Sequence, residues 1–92
     1  MLTETQLREV LLQGDFAPVH QPWLAVARDL ATLEAIGRTG WIFLLKVDGL
    51  RTSHHYTVVL NRATPGSDTH RCDGNELGPI LRGAIQFFID AK

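Results

Sequence analysis

The side chains with the widest range of chemistry are four histidines and a single cysteine. His70 and Cys72 are two residues apart, so on a β-strand both side chains would point to the same side. His54 and His55 lie in a second strand-like stretch that could neighbour this pair. Structural zinc sites have paired ligands at fixed spacing, and here a clear fourth ligand is missing. We therefore expect no bound metal.

A nucleophilic cysteine is the second possibility. Cys72, one of the histidines and the adjacent Asp73 would supply a nucleophile, a base and an orienting carboxylate. Such sets are recognised by geometry, and chains with several histidines contain one by chance. Paired carboxylates give no better case, since Asp29 and Glu34 are five residues apart on a predicted helix and do not face each other. We assign no catalytic residue, favour a non-enzymatic protein and expect no cofactor.

Nucleic-acid binding would require cations beside aromatic side chains that stack on bases. The candidates on the predicted sheet are Lys46, Arg51, Arg62 and Arg71, with Trp41 or Tyr56 as the stacking group. Nine Lys and Arg against ten Asp and Glu give a net charge of −1, and the charges are scattered singly. This balance favours a solvated polar rim over a nucleic-acid site. The glycines match neither nucleotide-binding fingerprint.

The composition is that of an ordinary globular protein, with 45% hydrophobic and 21% charged residues in 92. We expect one domain, 1–92. No apolar run approaches the roughly 20 residues needed to span a bilayer. Cys72 has no internal partner for a disulfide, and no signal peptide is visible, so we expect a cytoplasmic protein.

Two helices are predicted before residue 41. Thr3 and Gln6 form a capping-box pattern ahead of an apolar stripe that should cover the core, and Gly14 is the expected terminator. The second helix should begin near Pro22 and end at Gly37. Its stripe consists of Trp23, Val26, Ala27, Leu30 and Leu33.

The stretch from Trp41 to Leu60 has the strongest strand pattern, and the Asp48–Gly49 dipeptide is typical of a tight type I′ turn. That turn makes a hairpin in which Trp41, Phe43, Leu45 and Val47 share a face with Tyr56, Val58 and Leu60, among others. In the competing interpretation, residues 50–53 belong to a wider loop and Trp41–Val47 pairs with His55–Asn61. That pairing places Phe43 and Leu45 with Thr57 and Val59. We favour the tight turn.

Both hairpin registers leave an unusual sheet. Ile42 and Leu44 put apolar groups on the face opposite Phe43 and Leu45. Antiparallel sheets normally have one solvated face, so a sheet that is apolar on both sides requires a second cover.

The rest of the chain predicts a turn at Pro65–Gly66, a short third strand over Thr69–Cys72 and a C-terminal helix. The apolar stripe of that helix consists of Leu81, Ala84, Ile85 and Phe88, widened by Phe87 and Ile89. So wide a stripe must be covered on two sides, by the chain itself or by a second copy.

We therefore predict an α+β domain with two N-terminal helices, an antiparallel sheet of two or three strands and a C-terminal helix. The favoured function is protein interaction, with a homodimer formed through the apolar sheet face or the C-terminal helix. The alternative is a small-ligand or enzyme pocket between sheet and helices. The candidate binding residues are Trp23, Trp41, His54, His55, Tyr56 and Phe87.

Overall fold

The computed structural model describes residues 1–13, 23–62, 64 and 68–91; of Leu11 it describes the backbone only. In chain order the elements are α1 (Glu4–Gln13), α2 (Trp23–Gly37), β1 (Trp41–Val47), β2 (Tyr56–Arg62), β3 (Thr69–Gly74) and α3 (Leu77–Asp90). The strands form one antiparallel sheet in the order β1-β2-β3. This is the predicted α+β class. The predictions for Gly14, Pro22 and Pro65–Gly66 lie outside the described residues.

The hydrophobic core lies between one face of the sheet and helices α2 and α3. Its largest fully buried side chains are Leu33, Val58, Leu60, Leu77 and Leu81. Trp41 closes one end of this core and meets the rings of Phe87 and Phe88 edge-on, at centroid distances of 6.3 and 5.4 Å. The wide apolar stripe of α3 is therefore covered largely by α2 and the sheet of its own chain.

Helix α1 begins as predicted but does not cover the core. The capping box is present, because the Thr3 amide donates to Gln6 Oε1 at 2.8 Å and the Gln6 amide donates to Thr3 Oγ1 at 3.1 Å. Leu7 and Val10, however, are 47% and 55% exposed. The prediction that the stripe of α1 covers the core is therefore wrong for these two side chains, since α2 and α3 already occupy that face of the sheet.

The hairpin pairs β1 with β2 from Trp41 opposite Arg62 to Val47 opposite Tyr56. The tight turn at Asp48–Gly49 is wrong, because it would pair Val47 with Leu50. The wider loop is closer to the structure but one residue too short, because it paired β1 with residues 55–61 instead of 56–62. It therefore grouped Phe43 and Leu45 with the wrong side of β2.

The division of side chains between the two faces nevertheless follows the tight-turn prediction. Phe43 lies opposite Leu60, and Leu45 lies opposite Val58. The tight turn predicts residue 50 as the partner of Val47, whereas the structure pairs Val47 with Tyr56, six residues further along the chain. A shift by an even number of residues leaves every side chain on its original face.

Contacts within residues 48–55 explain why the tight turn does not form. The Asp48 carboxylate accepts from the Leu50 amide at 2.9 Å, while the Asp48 amide donates to the His55 carbonyl at 2.8 Å. Arg51 donates to the His54 carbonyl and to the Thr57 hydroxyl, both at 3.1 Å. These bonds stabilise an eight-residue connection, so the local preference of Asp-Gly for a hairpin turn is overridden.

Candidate interaction surface

The face of the sheet opposite the helices, here called the open face, carries side chains from all three strands. Its members are Ile42, Leu44, Lys46, Thr57, Val59, Asn61, Thr69, Arg71 and Asp73. Ile42 and Leu44 are 46% and 57% exposed, and Leu44 lies directly opposite the partly buried Val59. We call these three residues the apolar patch. Ile42 and Leu44 lie on β1, an outer strand of the sheet.

The rest of the open face near the 48–55 loop is polar and internally paired. The Thr57 hydroxyl donates to Asp73 Oδ1, and Arg51 Nη1 lies 3.3 Å from the same oxygen. Asp48 Oδ2 lies 3.5 Å from Arg51 Nε and 3.3 Å from Lys46 Nζ. Thr57 is only 5% exposed, so its hydroxyl requires the partners that it has. We call these side chains and the neighbouring Arg71 the polar cluster, which borders the apolar patch. Its members are Lys46, Asp48, Arg51, Thr57, Arg71 and Asp73.

This cluster changes the acidity of its two carboxyl groups. The hydrogen bond from Thr57, helped by Arg51 and Arg71, holds the pKa of Asp73 below its ordinary 3.8 against the opposing effect of desolvation. The backbone amide of Leu50, followed by Lys46, lowers the pKa of Asp48 in the same direction. Both groups are therefore charged at neutral pH and balance the neighbouring cations.

The two adjacent histidines lie in the loop before β2, and the expectation that they sit on a strand is wrong. His55 Nδ1 lies 3.0 Å from the Asp48 carbonyl. His54 is exposed and has a positive φ of 54°, and its amide donates to the Asn75 side chain. That bond ties the loop to the residue that follows β3. Both histidines lie outside the strand because the ladder ends at the pair Val47 and Tyr56.

The predicted aromatic binding residues are distributed over several environments. Trp41 is 8% exposed and packs on Phe87 beneath the helices, whereas Trp23, the first residue of α2, is 42% exposed. Tyr56 is half-buried against the core. The structure therefore brings Trp41 and Phe87 together within the core. Binding by these side chains stays a prediction.

The histidine and cysteine of β3 share the helix-covered face, as their spacing predicts. His70 lies opposite Leu60 and stacks on Phe87 at a centroid distance of 5.2 Å, and Cys72 lies opposite Val58. The Cys72 thiol is 3.7 Å from the Asp73 carbonyl oxygen. Within the described ranges, no group of three His, Cys, Asp or Glu side chains is placed to hold a metal ion.

The four cations considered for nucleic-acid binding do not line up on one face. Arg62 lies on the helix-covered side, 4.7 Å from the Trp41 ring centre, and donates to the Ala91 carbonyl. Lys46 and Arg71 belong to the open face, where Asp48 and Asp73 neutralise part of their charge.

The Thr57–Asp73 bond and the Arg51 contacts could not be assigned from the sequence. Thr57 and Asp73 are 16 residues apart and carry no motif. The available signal was the period-2 pattern, which places Thr57 on the same face as Ile42 and Leu44.

Comparisons with protein-family models, with curated proteins and with solved structures found no match. None of the helices in the described part of the chain is long and apolar enough to cross a membrane.

Proposed function

We propose that this protein acts in protein interaction, as a homodimer that assembles at the apolar patch of the open face. The observation that carries the proposal is the exposure of Ile42 and Leu44, at 46% and 57%, on a sheet whose other face is already covered by α2 and α3. Antiparallel sheets commonly keep a polar solvated face, and exposed apolar groups with a polar rim are typical of protein interaction sites.

The open face is favoured over the C-terminal helix as the contact surface. Leu77, Leu81 and Ala84 of α3 are each 0% exposed because α2 and the sheet cover them. Only the end of that stripe is open, where Ile89 is 55% exposed. An interface centred on α3 would thus have little apolar surface to bury.

The polar cluster gives the open face a defined border. Asp48 and Asp73 pair with Lys46, Arg51 and Arg71 at distances from 3.3 to 3.8 Å. Interfaces of this kind have an apolar centre and a polar rim. The charged groups therefore set the limit of the contact, while the apolar patch supplies its affinity.

The test is the mass of the protein as a function of concentration. Light scattering and native mass spectrometry should give a dimer for the natural sequence and a shift toward monomer for Leu44→Gln. The matched control is Leu24→Gln, because Leu24 is 95% exposed on α2, away from the sheet. The control should dimerise like the natural protein.

A monomer mass at every concentration would refute the proposal. So would equal weakening of the dimer by Leu44→Gln and Leu24→Gln, since the open face would then have no special role. The native spectrum also detects a retained small molecule, and a monomer that carries one would favour a ligand-binding function instead.

A further inference from the structure

Among the described residues, strand β1 is paired on one side only, and its other edge carries unpaired backbone groups. In the described sheet it is an outer strand, paired with β2 on one side and packed under α2. The Asp48 amide donates to the carbonyl of His55, one step beyond the last ladder pair of Val47 and Tyr56. Hydrogen-bonded residues alternate along an antiparallel strand, so residues 42, 44 and 46 direct their backbone groups toward β2.

The other residues of β1 direct their backbone groups away from β2. They are Trp41, Phe43, Leu45 and Val47. An unpaired row of amides and carbonyls is a template for a further strand, and native sheets usually protect it with charges, proline or a covering element. In β1 the only charged residue is Lys46, near its end, and there is no proline.

The opposite edge of the sheet is better protected. Strand β3 runs from Thr69 to Gly74. The Arg62 amide donates to the Asp68 carbonyl just before this strand. Because hydrogen-bonded residues alternate, the backbone groups of residues 69, 71 and 73 therefore point away from β2. Arg71 and Asp73, both charged, stand on this outer edge and on the open face. The β1 edge is therefore the more suitable of the two for strand addition.

We infer that the homodimer forms by antiparallel pairing of β1 with β1 of a second copy, around a twofold axis at Leu44. This inference rests on the proposed homodimer and refines its geometry: the two copies meet at the β1 edge, so their apolar patches lie side by side on one continuous open face and do not cover each other. Two edges of the same strand are self-complementary under a twofold axis. The three-stranded sheet of each copy would then continue into one six-stranded sheet.

The register follows from the outward-pointing residues. An axis at Leu44 pairs Trp41 with Val47 of the second copy and Phe43 with Leu45 of the second copy. By symmetry, Val47 and Leu45 pair with Trp41 and Phe43 of the second copy, so all four outward residues form hydrogen bonds. An axis at Phe43 or Leu45 leaves one outward residue of each β1 without a partner inside the strand. The Leu44 axis thus gives the largest number of hydrogen bonds.

Side-chain pairing agrees with this register. Leu44 meets its own copy at a non-hydrogen-bonded position, where facing residues are closest, about 4.5 Å between Cα atoms. Lys46 lies opposite Ile42 of the second copy, which keeps the two like charges apart. The exposed leucines join the two apolar patches across the axis.

Disulfide trapping tests the register directly. In a Cys72→Ala background, Leu44→Cys should form a covalent dimer under mild oxidation, since facing Cα atoms at that position lie within the about 4.4–6.8 Å that a disulfide allows. Ile42→Cys is the matched control on the same strand and face. Its two copies would be offset by four residues, about 13 Å, and should not cross-link.

Amide hydrogen exchange provides a second measurement on the natural protein. At concentrations where the dimer forms, the amides of Phe43 and Leu45 should exchange at least tenfold more slowly than in dilute monomer. The outward amides of Arg71 and Asp73 should not change, because the proposed dimer makes no contact with the β3 edge.

The outcomes separate the two proposals. A monomer mass at all concentrations refutes the homodimer and this geometry together. A dimer in which the Phe43 and Leu45 amides are not protected, or in which Ile42→Cys cross-links as readily as Leu44→Cys, refutes the β1 pairing and leaves the homodimer intact.

Discussion

The hydroxyl of Thr57 donates a hydrogen bond to the carboxylate of Asp73 across strands β2 and β3, where the two residues lie directly opposite each other. Thr57 is buried, and Asp73 also meets Arg51 and Arg71. Arg51, which contacts both the Thr57 hydroxyl and the Asp73 carboxylate, connects the 48–55 loop to β3. It therefore links the conformation of the hairpin connection to the stability of the sheet.

Replacing Thr57 with valine should test that link. The substitution keeps the shape of the side chain but removes the donor, so we expect a loss of about 1 kcal/mol in the free energy of unfolding. The pKa of Asp73, measured by NMR titration, should rise because its largest stabilising contact is gone. Thr69→Val, an exposed position on the same face, is the control and should change neither quantity. An unchanged Asp73 pKa in the Thr57 variant would contradict the assigned bond.

The depressed pKa values of Asp48 and Asp73 predict an acid-sensitive fold. A carboxyl group whose folded pKa lies below its unfolded value of about 3.9 stabilises the protein above that value. The stabilisation is lost as the pH falls through the folded pKa. The urea concentration at the midpoint of unfolding should therefore decrease once the pH is below about 4. The Asp48→Asn, Asp73→Asn double variant should have a flatter pH dependence in that window, measured at one fixed protein concentration. An equal fall in the double variant would assign the acid sensitivity to other carboxyl groups.

Elements defined by local pattern could be predicted from the sequence. The Thr3 and Gln6 side chains form the expected capping box, and the period-2 alternation of β1 separates Phe43 from Leu44 as expected. Both features depend on residues within a few positions of one another. The same is true of Gly37, which is the last residue of α2.

Features that depend on distant contacts could not be predicted. The Asp48–Gly49 dipeptide favours a tight turn, but Arg51 and Thr57 stabilise a wider loop through contacts that exist only in the folded sheet. The stripe of α1 has core periodicity, yet Leu7 is 47% exposed. Periodicity shows which side of a helix is apolar and does not identify what covers it.

His70 carries an unsatisfied polar atom, and its removal should stabilise the fold. Its Nε2 is buried and has no hydrogen-bond partner among the described residues, while the ring stacks on Phe87. Because an unpaired buried polar group costs free energy, His70→Leu should raise the free energy of unfolding by about 1 kcal/mol in chemical denaturation. His55→Leu is the informative comparison, since His55 Nδ1 lies 3.0 Å from the Asp48 carbonyl and that contact would be lost. A loss of stability in His70→Leu would show that the imidazole has a partner.

Gly74 is the glycine at which an added methyl group should be most damaging. A Cβ there would lie 2.9 Å from Ile80 Cγ2, and Ile80 is only 6% exposed, so that its side chain has little room to move. Neither Gly74 nor Gly49 has a positive φ, which makes the effect steric instead of conformational. Gly74→Ala should lower the free energy of unfolding by about 1–3 kcal/mol. Gly49→Ala should be nearly neutral, because nothing lies within 4 Å of its Cβ. Thermal unfolding of both variants at one concentration measures the difference, and equal melting temperatures would refute the close packing of β3 against the start of α3.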